Sequence, residues 1–212
     1  LEDRYHLAAA IPPAERPVVF IGPYEHTSNE LQWRESICDL VVIDACDGGL
    51  IDLDDLERKL TAYAKRPLKI GSFSAASNVT GILTDVDRIA TLLHHRGAYA
   101  FFDYAAAAPY VTIDMRSRAL AYKDAVFVSP HKFPGGPGTV GVLVAKKRLF
   151  ENRVPSVPGG GTVDYADLEK HTYLSSTVAR EEGGTPNILG SIRTGLVFQA
   201  KPPVDVIHAS EE

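Results

Sequence analysis

Four polar segments of the chain each come directly after a short apolar run. They are Glu25-His26 after residues 18–21, Ser77-Asn78 after residues 68–73, Asp103 after Phe101-Phe102, and Ser129-Pro130-His131-Lys132 after Phe127-Val128. If the apolar runs are neighbouring strands of one parallel sheet, the four segments converge at one edge of it. Ligands bind beyond the carboxyl ends of the strands in open α/β sheets, so this edge is the predicted site.

The residue types in these segments suit one kind of cofactor. A lysine at a protected edge can lose its proton, because desolvation and neighbouring cations disfavour the ammonium form, and a neutral lysine attacks an aldehyde to form an imine. A carboxylate beside the ring nitrogen of an aromatic cofactor keeps that ring electron-withdrawing. Hydroxyl, imidazole and backbone N–H groups near a glycine-rich turn bind phosphate. Together these groups indicate pyridoxal 5'-phosphate (PLP), held by Lys132 as a Schiff base.

Each of these residues also has an ordinary structural interpretation. A lysine after a strand is most often a solvated surface residue. An aspartate at a strand end, such as Asp103, is more often a turn former or a helix cap than a ligand. His26 could cap a turn, and Asn78 could be an ordinary turn residue. The functional interpretation therefore depends on their joint placement.

The elements that would position these residues follow an α/β pattern. Strands are predicted at residues 18–21, 40–43, 68–73, 98–102, 125–128 and 140–145. Helices are predicted from Leu53 to about Lys65 with Asp52 as N-cap, from Thr84 onward, and from Thr185-Pro186 to about Lys201. The strands are apolar on successive residues, which is typical of a largely parallel sheet with helices on both faces. Residues 151–184 are predicted to be a long polar, glycine-rich excursion.

Composition limits the classes of function. The chain has 212 residues, 45% of them hydrophobic, which favours one large globular domain. A net charge of -5 offers no broad basic face for nucleic acid, and no apolar run reaches the roughly 20 residues needed to span a bilayer. Two cysteines, Cys38 and Cys46, are too few for a disulfide framework, and no His/Cys cluster has metal-ligand spacing. We therefore expect a cytoplasmic protein without a structural metal.

The polar segments resemble those of class V aminotransferases, the group of fold-type I PLP enzymes that includes the cysteine desulfurases. Ser129-Pro130-His131-Lys132 is similar to the Ser-x-His-Lys motif of that family. Further similar segments follow in the family's order and spacing, over roughly residues 18 to 200. They are Glu25-His26-Thr27-Ser28-Asn29, Ser77-Asn78-Val79-Thr80-Gly81, Phe102-Asp103-Tyr104-Ala105, Gly159-Gly160-Gly161-Thr162 and Glu182-Gly183-Gly184-Thr185-Pro186-Asn187. The resemblance implies the large domain of the fold-type I architecture.

The resemblance also implies a PLP-dependent transferase or lyase that acts on an amino acid. By similarity, Lys132 would form the internal aldimine and later move protons at the α-carbon of the substrate. His26 would stack on the pyridine ring and could assist proton transfer. Asp103 would pair with the ring nitrogen and stabilise the quinonoid.

The remaining matching residues are implied to bind the cofactor. Ser129 and His131 would hold the phosphate, and Asn78 would lie near the ring hydroxyl and the substrate carboxylate. Thr162 would reach the phosphate of the neighbouring subunit, which implies a homodimer. A flexible surface loop is the alternative interpretation of the Gly159–Gly161 run.

The chain departs from the family pattern in two respects. Ala106 stands where the desulfurases usually have a glutamine that bonds the ring hydroxyl, and an alanine cannot make that bond. The family's upstream phosphate-binding turn and its C-terminal small domain have no counterpart in the chain. We therefore expect residues 1–201 to be an incomplete PLP-binding large domain and residues 202–212 a tail leading toward the small domain.

Two other hypotheses compete with the interpretation as an enzyme. A non-catalytic or truncated fold-type I module, kept for dimerisation or binding, fits Ala106 and the missing segments, although the intact Asp103 and Lys132 argue against it. A Rossmann-type nucleotide-binding protein is disfavoured, because no G-x-G-x-x-G follows the first strand and opens a helix.

Overall fold

The computed structural model describes residue 4 and residues 6–209, and a six-stranded sheet forms its centre. The strand order is β2-β1-β3-β4-β5-β6, with the first five strands parallel and β6 antiparallel to β5. The strands are β1 (Val18–Ile21), β2 (Asp39–Val42), β3 (Lys69–Ser74), β4 (Tyr99–Asp103), β5 (Ala125–Val128) and β6 (Val142–Ala145). The α/β class with a mostly parallel central sheet is thereby confirmed.

Helices and a small hairpin complete the architecture. The helices are α1 (Leu7–Ala10), α2 (Thr27–Arg34), α3 (Leu53–Ala62), α4 (Val86–His95), α5 (Thr177–Glu181), α6 (Ile188–Ala200) and α7 (Val204–Ala209). The hairpin pairs β7 (Val163–Ala166) with β8 (His171–Tyr173), and 3-10 turns cover Pro13–Glu15, Pro130–Lys132 and Lys147–Leu149. Residues 1–3, 5 and 210–212, which belong to the expected ranges 1–201 and 202–212, lie outside the described residues.

The uninterrupted apolar runs reflect a sheet that is covered on both faces. All four residues of β1 are buried. Phe20 packs in the larger core with α3 and α4, through Leu60 and Leu93, whereas Ile21 faces a second cluster with Trp33 of α2. Because both sides of β1 are apolar environments, no polar residue alternates along it.

The helix starts were predicted well for α3 and less well for α4 and α6. Asp52 caps α3 as expected, because its carboxylate accepts from the N–H groups of Asp54 and Asp55 at 2.9 and 3.0 Å. Helix α4 is capped by Asp85, while the hydroxyl of Thr84 donates to the Ser74 carbonyl at 2.7 Å. The N-cap is therefore Asp85, and the start that was expected at Thr84 is wrong.

Helix α6 begins later than the Thr185-Pro186 pair suggested. Its N-cap is Asn187, whose side-chain oxygen accepts from the N–H of Gly190 at 2.9 Å. The polar region 151–184 is not featureless, because it contains β7, β8 and α5. These elements were not predicted, since most of their residues are exposed and carry no burial periodicity.

The described residues contain neither a membrane-spanning helix nor a metal-binding cluster. Residues 4 and 6–209 include no helix that has both the length and the apolar character required to cross a bilayer. Within the same part of the chain, no three His, Cys, Asp or Glu side chains are grouped so that they could hold a metal ion.

Candidate active site

The strand order brings the four polar segments to one edge of the sheet. β1, β3, β4 and β5 are consecutive parallel neighbours, so their carboxyl ends meet at the same edge. In the register, Ser74 at the end of β3 lies beside Asp103 at the end of β4, and Asp103 lies beside Phe127. The sequence predicted that the four polar segments would converge if their strands were neighbours. The strands are neighbours, and the segments do converge.

A cavity of about 490 Å³ lies at this edge. Its wall includes six of the seven residues predicted to form the site, namely His26, Asn78, Asp103, Ser129, His131 and Lys132. The cavity combines one lysine, one carboxylate and two imidazoles with three hydroxyls, from Ser28, Ser74 and Ser129. This set offers a nucleophile, a proton acceptor and several donors for an anion.

Lys132 is presented by a short 3-10 turn directly after β5. The turn covers Pro130–Lys132, and the backbone N–H of Lys132 donates to the Ser129 carbonyl at 3.0 Å. Pro130 is buried, whereas Lys132 is exposed toward the cavity side. No hydrogen bond or ion pair engages its Nζ within the described part of the chain. The Nζ atom is therefore available to a molecule that binds in the cavity.

Gly136 fits closely against this turn. A Cβ atom at Gly136 would overlap the carbonyl oxygen of Pro130 and would come within 2.7 Å of the Phe133 carbonyl oxygen. The turn is also held from the other side by Phe133, which is buried and packs against Phe198 of α6 with ring centroids 5.1 Å apart. The position of Lys132 thus depends on a residue without a side chain and on an aromatic contact.

Asp103 has one carboxylate oxygen engaged and one free. Its Oδ1 accepts from the N–H of Ala105 at 2.8 Å, which fixes the start of the loop after β4. Its Oδ2 has no hydrogen-bond partner among the described residues. The turn-forming role and the ligand role that the sequence left open are compatible, because they use different oxygens.

His26 is the N-cap of α2 and also lines the cavity. Its Nδ1 accepts from the N–H of Ser28 at 3.1 Å, so a proton on Nδ1 would break the cap. The exchangeable position of the ring is therefore Nε2. As with Asp103, the capping role does not compete with a role at the cavity.

Asn78 is an exposed residue that lines the cavity. It follows Ser77, whose Oγ accepts from the N–H groups of Val79 and Thr80, each at 3.2 Å. These bonds tighten the turn and place Asn78 between the main cavity and a second one of about 390 Å³. Ala106 lines both cavities, so a methyl group stands where they meet.

Thr162 is the one predicted site residue that the fold does not bring to the cavity. Its side chain is fully buried, and its hydroxyl donates to the Gly159 carbonyl at 2.6 Å. The side chain packs beneath Gly183, where a Cβ atom would lie 2.5 Å from the Thr162 methyl group. In the single chain its hydroxyl is therefore committed to its own glycine turn.

The chain matches a known family over nearly its whole length. The model of the family described as aminotransferase class-V matches residues 7–207. A probable cysteine desulfurase from Pyrococcus abyssi is 32% identical over 196 residues, which cover 89% of this chain and 46% of that protein. The chain belongs to the class V aminotransferase family. Members of this family are PLP-dependent, which confirms the expected cofactor at the level of the family.

Solved structures agree with this assignment. The apo structure of a cysteine desulfurase from Thermococcus onnurineus NA1 has a TM-score of 0.76 at 27% identity, covering 91% of this chain and 46% of that one. The Escherichia coli cysteine desulfurase CsdA also has a TM-score of 0.76, at 25% identity, covering 96% of this chain and 50% of that one. The fold-type I expectation is confirmed. The chain spans about half the length of the relatives that it matches.

Several residues of this class V site were not singled out from the sequence. Ser28, Asn29 and Gln32 of α2 and Ser74 of β3 line the cavity. Helix α2 was not predicted, because it contains few apolar residues and its cap is a histidine instead of Ser, Thr, Asp or Asn. The spacing of Ser28, Asn29 and Gln32, three and four apart, was the available signal that they share a helix face.

Glu25 lies beside the cavity wall and is linked to it by hydrogen bonds. Its carboxylate accepts from the side chain of Asn29 at 2.7 Å and from the hydroxyl of Ser74 at 2.6 Å. Burial raises the pKa of Glu25, and the hydrogen bonds from Ser74, Asn29 and Gly22 oppose that rise only in part.

Proposed function

We propose that the chain forms the PLP-binding part of an enzyme that acts on an amino acid, with Lys132 as the residue that holds the cofactor covalently. The observation that carries the proposal is the meeting of Lys132, Asp103 and His26 at one cavity, at the carboxyl ends of β5, β4 and β1. This donor set fits PLP, since it offers an amine for the aldehyde, a carboxylate for the ring nitrogen and an aromatic ring for stacking.

PLP, when bound, supplies an electron sink for negative charge at the α-carbon of an amino acid. The residues of the chain bind and orient it. Asp103 presents Oδ2 as the acceptor for a ring N–H, while the Ala105 N–H prevents the carboxylate from rotating. His26 presents a ring whose Nε2 could hold a proton, and Lys132 Nζ could take a proton from the α-carbon of the substrate and return it.

The anion-binding roles go to residues around the Lys132 turn. Ser129 and His131, which line the cavity, would donate to the cofactor phosphate, and Asn78 would bind near the ring hydroxyl and the substrate carboxylate. Thr162 at the phosphate of a neighbouring subunit stays a prediction, because its hydroxyl must first leave the Gly159 carbonyl. Lys132 is exposed in the single chain, so we assign its protection from water to the partner subunit of the expected homodimer.

Cysteine is the first substrate to test. Relatives from Pyrococcus abyssi and Synechococcus elongatus are named as a probable cysteine desulfurase and a cysteine desulfurase, at 32% and 31% identity. Transamination and other eliminations remain within the proposal, because Ala106 removes the side chain that the desulfurases use at the ring hydroxyl. The homodimer and the cytoplasmic location expected from the sequence stay predictions.

Chemical fixation of the cofactor tests the proposal directly. The protein is incubated with PLP, treated with borohydride and digested, and the peptides are analysed by mass spectrometry. We expect the PLP mass on the peptide that contains Lys132, and its loss in Lys132→Ala. Lys147→Ala is the matched control, because Lys147 is an exposed lysine beyond the end of β6, at the opposite edge of the sheet.

Two results would contradict the proposal. Label on another lysine would remove the assignment of Lys132. No label on any lysine, in a protein that remains folded, would favour the non-catalytic module instead.

A further inference from the structure

A partly buried polar network is centred on Glu25 and includes residues of the cavity wall. Its Oε1 accepts from the backbone N–H groups of Gly22 and Ser74, at 3.1 and 3.0 Å. Its Oε2 accepts from Asn29 Nδ2 at 2.7 Å and from the hydroxyl of Ser74 at 2.6 Å. One side chain therefore connects the end of β1, the first turn of α2 and the end of β3.

Both carboxylate oxygens of Glu25 face donors. The backbone N–H groups of Gly22 and Ser74 and the amide NH2 of Asn29 can only donate, and the hydroxyl of Ser74 donates as well. Burial raises the pKa of Glu25, but the four donors oppose that rise, and an ionised carboxylate, which only accepts, satisfies all of them. A glutamine would point an NH2 group at another donor, so it preserves the size of the side chain but not its hydrogen bonds.

Asn29 transmits this contact to helix α2. It is buried, with 3% of its surface exposed, and both ends of its amide are engaged. Its Nδ2 donates to Glu25 and to the Ser72 carbonyl at 3.3 Å, and its Oδ1 accepts from the Ser72 hydroxyl at 2.7 Å. Its backbone N–H donates to the carbonyl of His26 at 2.8 Å. The chain of contacts thus ends at the residue whose ring lines the cavity.

We propose that Glu25 is a positioning residue for the cofactor site, whose ionised carboxylate fixes the first turn of α2 and, through it, the ring of His26. This inference rests on the proposed function, because the position of the His26 ring matters only if PLP binds in the cavity. Glu25 itself does not line the cavity. It acts through Asn29 and His26, and the same carboxylate ties them to Ser74, the neighbour of Asp103 in the sheet.

Hydrogen exchange of the protein without PLP is the first test. We expect Glu25→Gln to speed the exchange of the Ser28 and Asn29 amides by about tenfold, because the first turn of α2 loses its anchor. The control is Glu30→Gln, which removes a carboxylate of the same helix that contacts Arg34. It should leave those amides within about twofold of their original rates. Unchanged rates in Glu25→Gln would overturn the inference.

A double-mutant cycle with His26→Ala tests whether Glu25 acts through His26. We expect Glu25→Gln to speed the release of PLP, followed by the loss of its visible absorbance, by about tenfold, and by less than about twofold when His26 is already alanine. A role in overall stability alone would give the same factor in both backgrounds, and that outcome would overturn the inference. If Glu25→Gln does not fold, Glu25→Asp takes its place, because it keeps the charge but withdraws the carboxylate by one methylene.

The unaltered protein separates the two proposals. If borohydride fixes no PLP on Lys132 of the unaltered protein, the proposed function fails. If PLP is fixed there but the cycle is additive, the proposed function stands and only the role of Glu25 fails.

Discussion

The Oδ1 atom of Asp103 accepts a hydrogen bond of 2.8 Å from the backbone N–H of Ala105. This bond turns the chain sharply away from β4 and prevents rotation of the carboxylate, so Oδ2 remains available at the cavity. Asp103 therefore combines a turn-forming role with the presentation of a charge. A substitution at this position separates the two roles.

Asp103→Asn and Asp103→Ala should differ in a defined way. Asparagine keeps an acceptor for the Ala105 N–H but can present an NH2 group instead of a negative oxygen, whereas alanine loses both. We expect both variants to bind PLP at Lys132 but to exchange the α-proton of an amino acid with solvent at least about a hundredfold more slowly. Exchange is followed by NMR in deuterium oxide, and only Asp103→Ala should also speed hydrogen exchange at Ala105. An unchanged exchange of the α-proton in both variants would show that Asp103 does not act on the cofactor ring.

Gly136→Ala should displace the turn that carries Lys132. The added Cβ would overlap the Pro130 carbonyl oxygen, so either the turn that contains Pro130 or the segment that contains Gly136 must move. We expect the free energy of unfolding to fall by about 1–3 kcal/mol and PLP to bind more weakly. Gly141→Ala is the control, because a Cβ at Gly141 meets no atom within 4 Å. Equal unfolding free energies for the two variants would contradict the close packing at Gly136.

The sequence predicted the sheet and the meeting of six polar residues at its edge because both depend on local patterns. Apolar runs marked the strands, and polar residues at their ends marked the edge where ligands bind. The sequence could not decide between a capping role and a ligand role for His26 or Asp103. The fold shows that each cap uses a single atom of the side chain and leaves another atom at the cavity.

The contacts that the sequence did not predict join distant segments. Glu25 bonds to Ser74, 49 residues away, and this pair forms only because β1 lies next to β3. Nothing in the local sequence around either residue specifies that adjacency. Thr162 differs, because its glycine-rich segment suggested a phosphate site. In the single chain its hydroxyl instead donates to the Gly159 carbonyl of the same segment.

Lys201 should stabilise the loop that follows Asp103. Its Nζ donates to the carbonyls of Ala108 and Val111, at 2.8 and 2.7 Å, and burial lowers its pKa. In Lys201→Met these carbonyls lose a charged donor, so we expect the free energy of unfolding to fall by about 1.5–3 kcal/mol. Hydrogen exchange in residues 105–111 should become faster. Lys170→Met serves as control, because Lys170 is exposed. If the amides of the loop exchange at the same rate in both variants, Lys201 does not hold the loop.

Asp124 should make the stability of the chain depend on pH. It is fully buried, and although burial raises its pKa, hydrogen bonds from His94 at 2.8 Å, from the Ala100 N–H at 3.0 Å and from Arg148 lower the pKa below its usual value. A carboxyl whose pKa is lower in the folded state stabilises the fold above its unfolded pKa. The contribution is lost as pH falls through the folded value, so stability should decline below about pH 4.

Asp124→Asn isolates this contribution. At pH 7 we expect it to lower the free energy of unfolding by about 1–3 kcal/mol, because His94 and the half-exposed Arg148 lose the buried carboxylate to which they donate. Urea unfolding at a series of pH values should then show the difference from the unaltered protein shrinking below about pH 4, as the unaltered protein loses the same charge. Asp164→Asn, at an exposed residue of β7, should show neither effect. A difference that stays constant from neutral to acidic pH would mean that packing, and not the charge of Asp124, accounts for the loss.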